Sequence, residues 1–261
     1  INAGSDKNIC AGGTTTLSAI GGSSYIWTPS TGLSCSTCAN PVATPIATTI
    51  YVLTGTDSNG CIKNDTVVVT VNTIPVVNAG PDKTICRNSS TTLSAAGAAS
   101  YSWSPATGLS CTSCASPSAS PATTTTYIVT GTNANACTGT DTITVFVNSL
   151  PSVNAGTDKT ICTGATANLV ATGASGYTWT PSTGLSCTTC YNPVASPTST
   201  ATYIVSGTDT NGCTNNDTLT VNVNSLPAVS AGPDKAVCNG TAASITATGA
   251  TSYVWSPTTG L

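Results

Sequence analysis

Thirteen cysteines are the most reactive side chains in this 261-residue sequence, and they recur at fixed places. Cys35 and Cys38, Cys111 and Cys114, and Cys187 and Cys190 are each spaced Cys-x-x-Cys. Every pair follows the same Tyr-x-Trp, as in YIWTPSTGLSCSTCANP at 25–41, YSWSPATGLSCTSCASP at 101–117 and YTWTPSTGLSCTTCYNP at 177–193. Cys10, Cys86, Cys162 and Cys238 precede these stretches; Cys61, Cys137 and Cys213 follow them. Thiols in this arrangement could ligate a metal, exchange disulfides, or staple the chain.

The first two uses fit poorly. Zinc favours paired Cys-x-x-Cys elements, and each unit here has one pair and two isolated cysteines. A thioredoxin-like redox motif opens a helix after a strand, whereas these pairs sit in Ser/Thr loops. Stapling fits a cysteine-rich chain in an oxidising, extracellular compartment. Four cysteines per unit allow three connectivities. The favoured one clasps Cys35–Cys38 locally and joins Cys10 to Cys61, with Cys111–Cys114, Cys86–Cys137, Cys187–Cys190 and Cys162–Cys213 in the later units. A Cys10–Cys61 link would enclose about 50 residues and stabilise by about 4 kcal/mol on the chain-entropy account. Cys238 is left without a partner.

Other chemistry is sparse. The chain has no His, Glu, Gln or Met, so the commonest general acids and bases are missing. No Ser/His/Asp or Cys/His constellation can form, and no paired carboxylates or Gly-rich phosphate loop stand out. An enzyme is not expected, nor a cofactor. Asp57-Ser-Asn59-Gly60 and Asp209-Thr-Asn211-Gly212 faintly resemble a calcium loop, but Asn133-Ala-Asn135-Ala136 has no carboxylate there, and a hairpin turn explains all three better. The Asp-Lys pairs at 6–7, 82–83, 158–159 and 234–235 read as solvated turns. With six basic residues and a net charge of −3, nucleic acid is not an expected partner. No apolar run approaches membrane-spanning length. The lack of an initiator Met and of a signal peptide predicts an internal or processed segment.

The elements that must position the cysteines repeat every 76 residues without insertion or deletion. The sequence thus predicts units over 1–76, 77–152 and 153–228, and the first part of a fourth over 229–261. Helical spacing is absent. In the first unit, strands are expected over Thr14–Ile20, Tyr25–Thr28, Pro41–Thr44, Thr49–Thr56 and Asp65–Asn72, with a hairpin at Asn59-Gly60. The segment DKNIC should lie beside the final strand. Val67, Val69 and Val71 face in, matched by Ile143, Val145, Val147 and by Leu219, Val221, Val223. Trp27, Trp103, Trp179 and Trp255 are the expected core pins. The residue between Tyr and Trp (Ile26 in the first unit) should face water. Short antiparallel strands with turns between them predict an all-β chain of tandem immunoglobulin-like β-sandwiches. A core this thin, in units this small, needs staples. The joins VNTIPVVNAG, VNSLPSVNAG and VNSLPAVSAG carry Pro75, Pro151 and Pro227 with little slack, which predicts a stiff rod growing roughly 30–40 Å per unit.

The pattern AGxDKxxC…YxW[ST]P…TGL…NPxAxP…TYxVTGT…GC…DTxTVxVN resembles the PKD-like, immunoglobulin-like repeats of giant Bacteroidota cell-surface proteins, including type IX-secreted gliding adhesins. The resemblance spans the whole chain. It departs from the usual PKD signature after the Trp, where Thr28-Pro29-Ser30 replaces an Asp/Gly-rich turn. It implies non-catalytic domains displayed outside the cell as a stalk or filament, with neighbouring repeats as the main partners. Surface glycans or other cells would be met through regions outside these residues. Asp65-Thr66-Val67, Asp141-Thr142-Ile143 and Asp217-Thr218-Leu219 resemble the Bacteroidota O-glycosylation motif, which marks Thr66, Thr142 and Thr218 as candidate sugar sites. The alternative is a carbohydrate-binding module. Its surface loops should carry aromatic residues, and only Tyr191, where Ala39 and Ala115 stand in the other units, qualifies.

Overall fold

The first repeat builds its sheet from the segments with the clearest period-two patterning. β5 (Thr49–Thr56) forms a hairpin with β6 (Ile62–Asn72), and β3 (Ser24–Thr28) pairs antiparallel with the other edge of β5. β1 (Lys7–Cys10) completes the sheet by pairing parallel to β6, which gives the order β1-β6-β5-β3. Opposite it lies a two-stranded ribbon of β2 (Thr15–Thr16) and β4 (Val42–Ala43). This computed structural model describes residues 1–259, so Leu261, the last residue of the expected fourth unit, lies outside the described residues. The six strands recur from β7 (Lys83–Cys86) to β12 (Thr138–Asn148) and from β13 (Lys159–Cys162) to β18 (Thr214–Asn224). The fold is all-β, in tandem immunoglobulin-like sandwiches.

Each sandwich has its own core. Leu17, Trp27, Tyr51, Leu53, Val67 and Val69 are buried in the first, with Val71 half-buried at the sheet end. Leu93, Trp103, Tyr127, Val129, Ile143 and Val145 fill the second; Leu169, Trp179, Tyr203, Val205, Leu219 and Val221 fill the third. Trp255 is half-buried. Ile26 is exposed, as its alternation requires.

Three elements differ from the sequence reading. Thr14–Ile20 is a strand only over Thr15–Thr16, although Leu17 and Ala19 are buried as expected. Their amides bond to loop carbonyls, those of Pro41 and Ala39, instead of to a regular ladder. Val42–Ala43 is shorter than the expected Pro41–Thr44, and the last strand starts earlier, at Ile62. Residues 229–259 form no strand and make one isolated bridge, Ser230 to Thr248.

The chain divides into two compact units. Ile1–Asn148 holds the first two sandwiches together, and the other begins at Ser149.

Candidate functional site

The Cys-x-x-Cys loop lies across the open side of each sandwich. In the first repeat, Trp27 N donates to Ser36 O at 2.7 Å and the buried indole Nε1 donates to Cys38 O at 3.0 Å. On the other side, Ala19 N donates to Ala39 O and Leu17 N to Pro41 O. One loop therefore stitches β3 of the main sheet to the β2 segment of the ribbon. Cys35–Cys38 closes it, and Cys111–Cys114 and Cys187–Cys190 close its counterparts. Trp103 and Trp179 donate to Cys114 O and Cys190 O, each at 2.9 Å. A buried indole N–H needs an acceptor. The clasp presents one without using a strand.

The remaining cysteines do not pair as the sequence reading expected. Cys10 bonds to Cys137 of the next repeat, not to Cys61, and so Cys137 is not the partner of Cys86. Cys61 and Cys162 are exposed thiols, as is Cys238, so Cys162–Cys213 is not formed either. Cys86 and Cys213 are both disulfide-bonded. The reason lies in the direction of β1. It does lie beside the last strand, but the pairing is parallel, with Cys10 opposite Asn72. Cys61 immediately precedes the other end of that strand. Ten residues at about 3.3 Å each put the two ends roughly 33 Å apart. Cys10 thus sits at the C-terminal pole of its sandwich, where the following repeat begins.

At that pole the second repeat presents the turn between β11 (Thr125–Thr132) and β12. Asn133 Oδ1 accepts the amides of Asn135 and Cys137 at 3.0 Å, which fixes the turn. Its Nδ2 reaches back to donate to Thr73 O of the join at 2.8 Å. Cys137 is fully buried beside Cys10, with their Cα atoms 5.6 Å apart. The join is pressed against strand glycines. A Cβ on Gly139 would overlap Pro75 O, and one on Gly131 would meet Val77 Cγ2 and Ala98 Cβ, both at 2.6 Å. The joint is thus a covalent bond, a side-chain hydrogen bond and a close backbone contact at one place. Sequence reasoning missed it. The signal was present: Cys137 and Cys213 stand at the same offset, in the following repeat, from Cys10 and Cys86, in a chain with an odd cysteine count.

The aspartates serve the framework. Asp6, Asp82 and Asp158 accept the amides of Val68, Thr144 and Thr220 at 2.8–2.9 Å, tying the entry of the first strand to the last. Asp65, Asp141 and Asp217 accept the amides of Ala3, Ala79 and Ala155 at 2.7–2.8 Å. Those bonds, and further ones from Thr66, Thr142 and Thr218, hold the three carboxyls below the usual Asp range. Asp57 Oδ1 is taken up by the Asn59 and Cys61 amides of its turn. Thr66, Thr142 and Thr218 are exposed, each next to a buried core residue. Tyr191 is 57% exposed and lines an open cleft of about 510 Å³ with Gly173–Tyr177.

No family model matches the chain, and no curated protein matches it. Solved structures of tandem immunoglobulin domains do. Titin domains I67–I69, in an E-to-A mutated variant, share 9% identity over 85% of this chain and 96% of theirs, with a TM-score of 0.43. Extracellular domains 3–5 of Drosophila OTK share 8% over 85% and 95%, with a TM-score of 0.34. Sidekick-1 immunoglobulin domains 1–5 share 15% over 86% and 58%, with a TM-score of 0.31.

Proposed function

We propose that the chain is a structural, non-catalytic repeat segment of a long extracellular filament or adhesin stalk, of the PKD-like kind found on Bacteroidota cell surfaces. The observation that carries this reading is the Cys10–Cys137 bond, because it fastens one sandwich to the next instead of stapling either one. A binding or catalytic module gains little from a covalent joint to its neighbour; a load-bearing series gains resistance to separation. Disulfides of this number suit an oxidising extracellular location. Glycans on Thr66, Thr142 and Thr218 would add bulk to exposed strand positions, once per repeat. Intact mass of native material tests the sugars, and the bare polypeptide mass would remove them from the proposal.

Antibody against the repeat, applied to intact producing cells and viewed by electron microscopy, tests the role. Thin labelled filaments with a regular axial period are expected; label confined to a smooth surface or to soluble material overturns the filament reading. The cleft beside Tyr191 favours a second reading, in which the third repeat binds a saccharide. An exposed tyrosine face with Ser175 and Thr189 hydroxyls nearby suits a sugar ring. Glycan-array binding that is lost in Tyr191→Ala would support it.

A further inference from the structure

Two hairpin turns carry Asn-Gly pairs whose Asn side chains take no part in the fold. In the first repeat, Asp57 Oδ1 accepts the amides of Asn59 and Cys61 at 2.8 and 2.9 Å. Asp209 Oδ1 does the same for Asn211 and Cys213 in the third. Main-chain bonds, Asp57 N to Cys61 O and Asp209 N to Cys213 O, complete the two frames. Asn59 and Asn211 are exposed, and among the described residues no hydrogen bond engages either side chain.

Each of these side chains stands next to a main-chain amide that can attack it. Gly60 N donates to Asp57 O and Gly212 N to Asp209 O, each at 3.2 Å, the outer limit of the usual range. Gly60 and Gly212 sit at φ +80° and +79°, and a Cβ on either would meet nothing within 4 Å. The nitrogen is therefore unshielded, and glycine has the freedom to turn it toward the Asn Cγ. The second repeat builds the same turn on Asn133 but reads Asn135-Ala136. Ala136 keeps the left-handed conformation, at φ 61°, with a methyl group beside its nitrogen.

We propose that Asn59 and Asn211 are sites of spontaneous covalent modification whose only co-reactant is water, and that Ala136 spares Asn135. Gly60 N attacks Asn59 Cγ and forms a C–N bond. The side-chain amide leaves as ammonia, taking the Gly60 amide proton with it, and a cyclic imide remains. Water then adds to one of the two imide carbonyls, the C–N bond to that carbonyl breaks, and a proton returns to nitrogen. Opening at Cγ leaves aspartate. Opening at the Asn59 main-chain carbonyl leaves isoaspartate, with the chain rerouted through Cβ and Cγ. Nothing is oxidised or reduced. Asn211 and Gly212 react in the same way.

Each event adds one negative charge, close to an aspartate, to a chain of net charge −3. Isoaspartate also inserts a backbone carbon between the two amides that the turn's aspartate holds. In the third repeat the second of those amides belongs to Cys213, which is buried and disulfide-bonded. The turn of Cys137, where the Cys10–Cys137 joint is made, keeps its amide and its geometry. The hairpins thus age unequally, and that joint is spared.

The test is to incubate the oxidised full chain at physiological pH and temperature and to follow each Asn-containing peptide by mass spectrometry. Conversion of Asn59 and Asn211 to a mixture of aspartate and isoaspartate is expected, with Asn135 still an amide when half of Asn59 has reacted. Asn239-Gly240, an exposed Asn-Gly pair outside any strand, is the internal reference for a pair that no hairpin holds. Gly60→Ala and Gly212→Ala should each stop conversion at the preceding Asn, in a turn that accepts Ala in the second repeat. Ala136→Gly should start conversion at Asn135. Conversion of Asn239 with Asn59 and Asn211 unchanged overturns the inference, because the hairpin then keeps the amide away from Cγ. Conversion of Asn135 as fast as Asn59 overturns it too, because the Cβ then protects nothing. A chain in which none of the three Asn-Gly pairs reacts has the same consequence.

Discussion

The indoles of Trp27, Trp103 and Trp179 explain why a Cys-x-x-Cys loop follows the Tyr-x-Trp of each of the first three repeats. The indole must be buried to pin a small core, and its N–H then needs a carbonyl that no strand supplies. The second cysteine supplies it, at 2.9 Å in the case of Trp103 and Cys114. Opening the clasp with Cys111→Ser and Cys114→Ser together should leave the loop freer in both states. A closed loop this short is worth about 1–2 kcal/mol on the chain-entropy account. Urea unfolding of the otherwise oxidised protein should show a loss of that size. The paired aspartates make a second prediction at this scale. Asp65, Asp141 and Asp217 titrate below the ordinary Asp value because backbone amides hold their charged form. A carboxyl with a lowered folded pKa adds stability above its unfolded pKa, near 4, and loses it as pH falls through the folded value. Thermal midpoints should hold steady from pH 7 to about 5 and drop below about 4. Asp141→Asn should flatten that acid limb while lowering the midpoint at pH 7.

Among the elements, alternation made the long strands legible and left the short ones obscure. Thr49–Thr56 appears as read, because Tyr51, Leu53 and Gly55 on one face are buried and the other face is not. The ribbon strands shrank to two residues because their neighbours bond to the clasp loop, a tertiary contact that leaves no period in the sequence. The clasps were legible because they are local. The long disulfide was not, because its partner depends on which way β1 runs and on what docks at the pole. Parallel pairing was the missing fact, and DKNIC beside the last strand was compatible with either direction. Glycine also has a positional meaning that composition conceals. In β11, Gly131 leaves room for Val77 and Ala98, and a methyl group there would sit 2.6 Å from both. Gly131→Ala should therefore force the start of the second repeat outward, at a cost of about 1–3 kcal/mol. Hydrogen exchange should report faster opening at Val77–Ala79 in this variant, with the core of the first repeat unchanged. The counterpart Gly55 makes the same allowance for Ile1, which shows that the glycine serves the entry of each repeat and not the joint alone.

For the molecule as a whole, the path of tension follows from the Cys10–Cys137 bond. Force entering near Ile1 reaches Cys10 after one strand, crosses to Cys137, and continues along β12 toward Asn148. The residues between the two cysteines, nearly all of both sandwiches in this unit, lie in a closed loop outside that path. Their cores therefore need not resist the load themselves. The loop, with a sequence separation of 127, also restricts the unfolded chain, by about 5 kcal/mol on the chain-entropy account. Stretching a single chain should expose the arrangement directly. With disulfides intact, unfolding cannot extend the segment between Cys10 and Cys137 beyond the bond itself. Once the bond is reduced, the same segment can pull out fully from a starting Cα separation of 5.6 Å. At about 3.5 Å per residue the gain is on the order of 400 Å. Force spectroscopy with and without a reductant should show this added extension, and Cys10→Ser should release only part of it without reductant, because Cys86 within the segment stays disulfide-bonded. Equal extension in the oxidised and reduced chains would mean that the joint carries no load, and the advantage claimed for bonding one sandwich to the next would go with it.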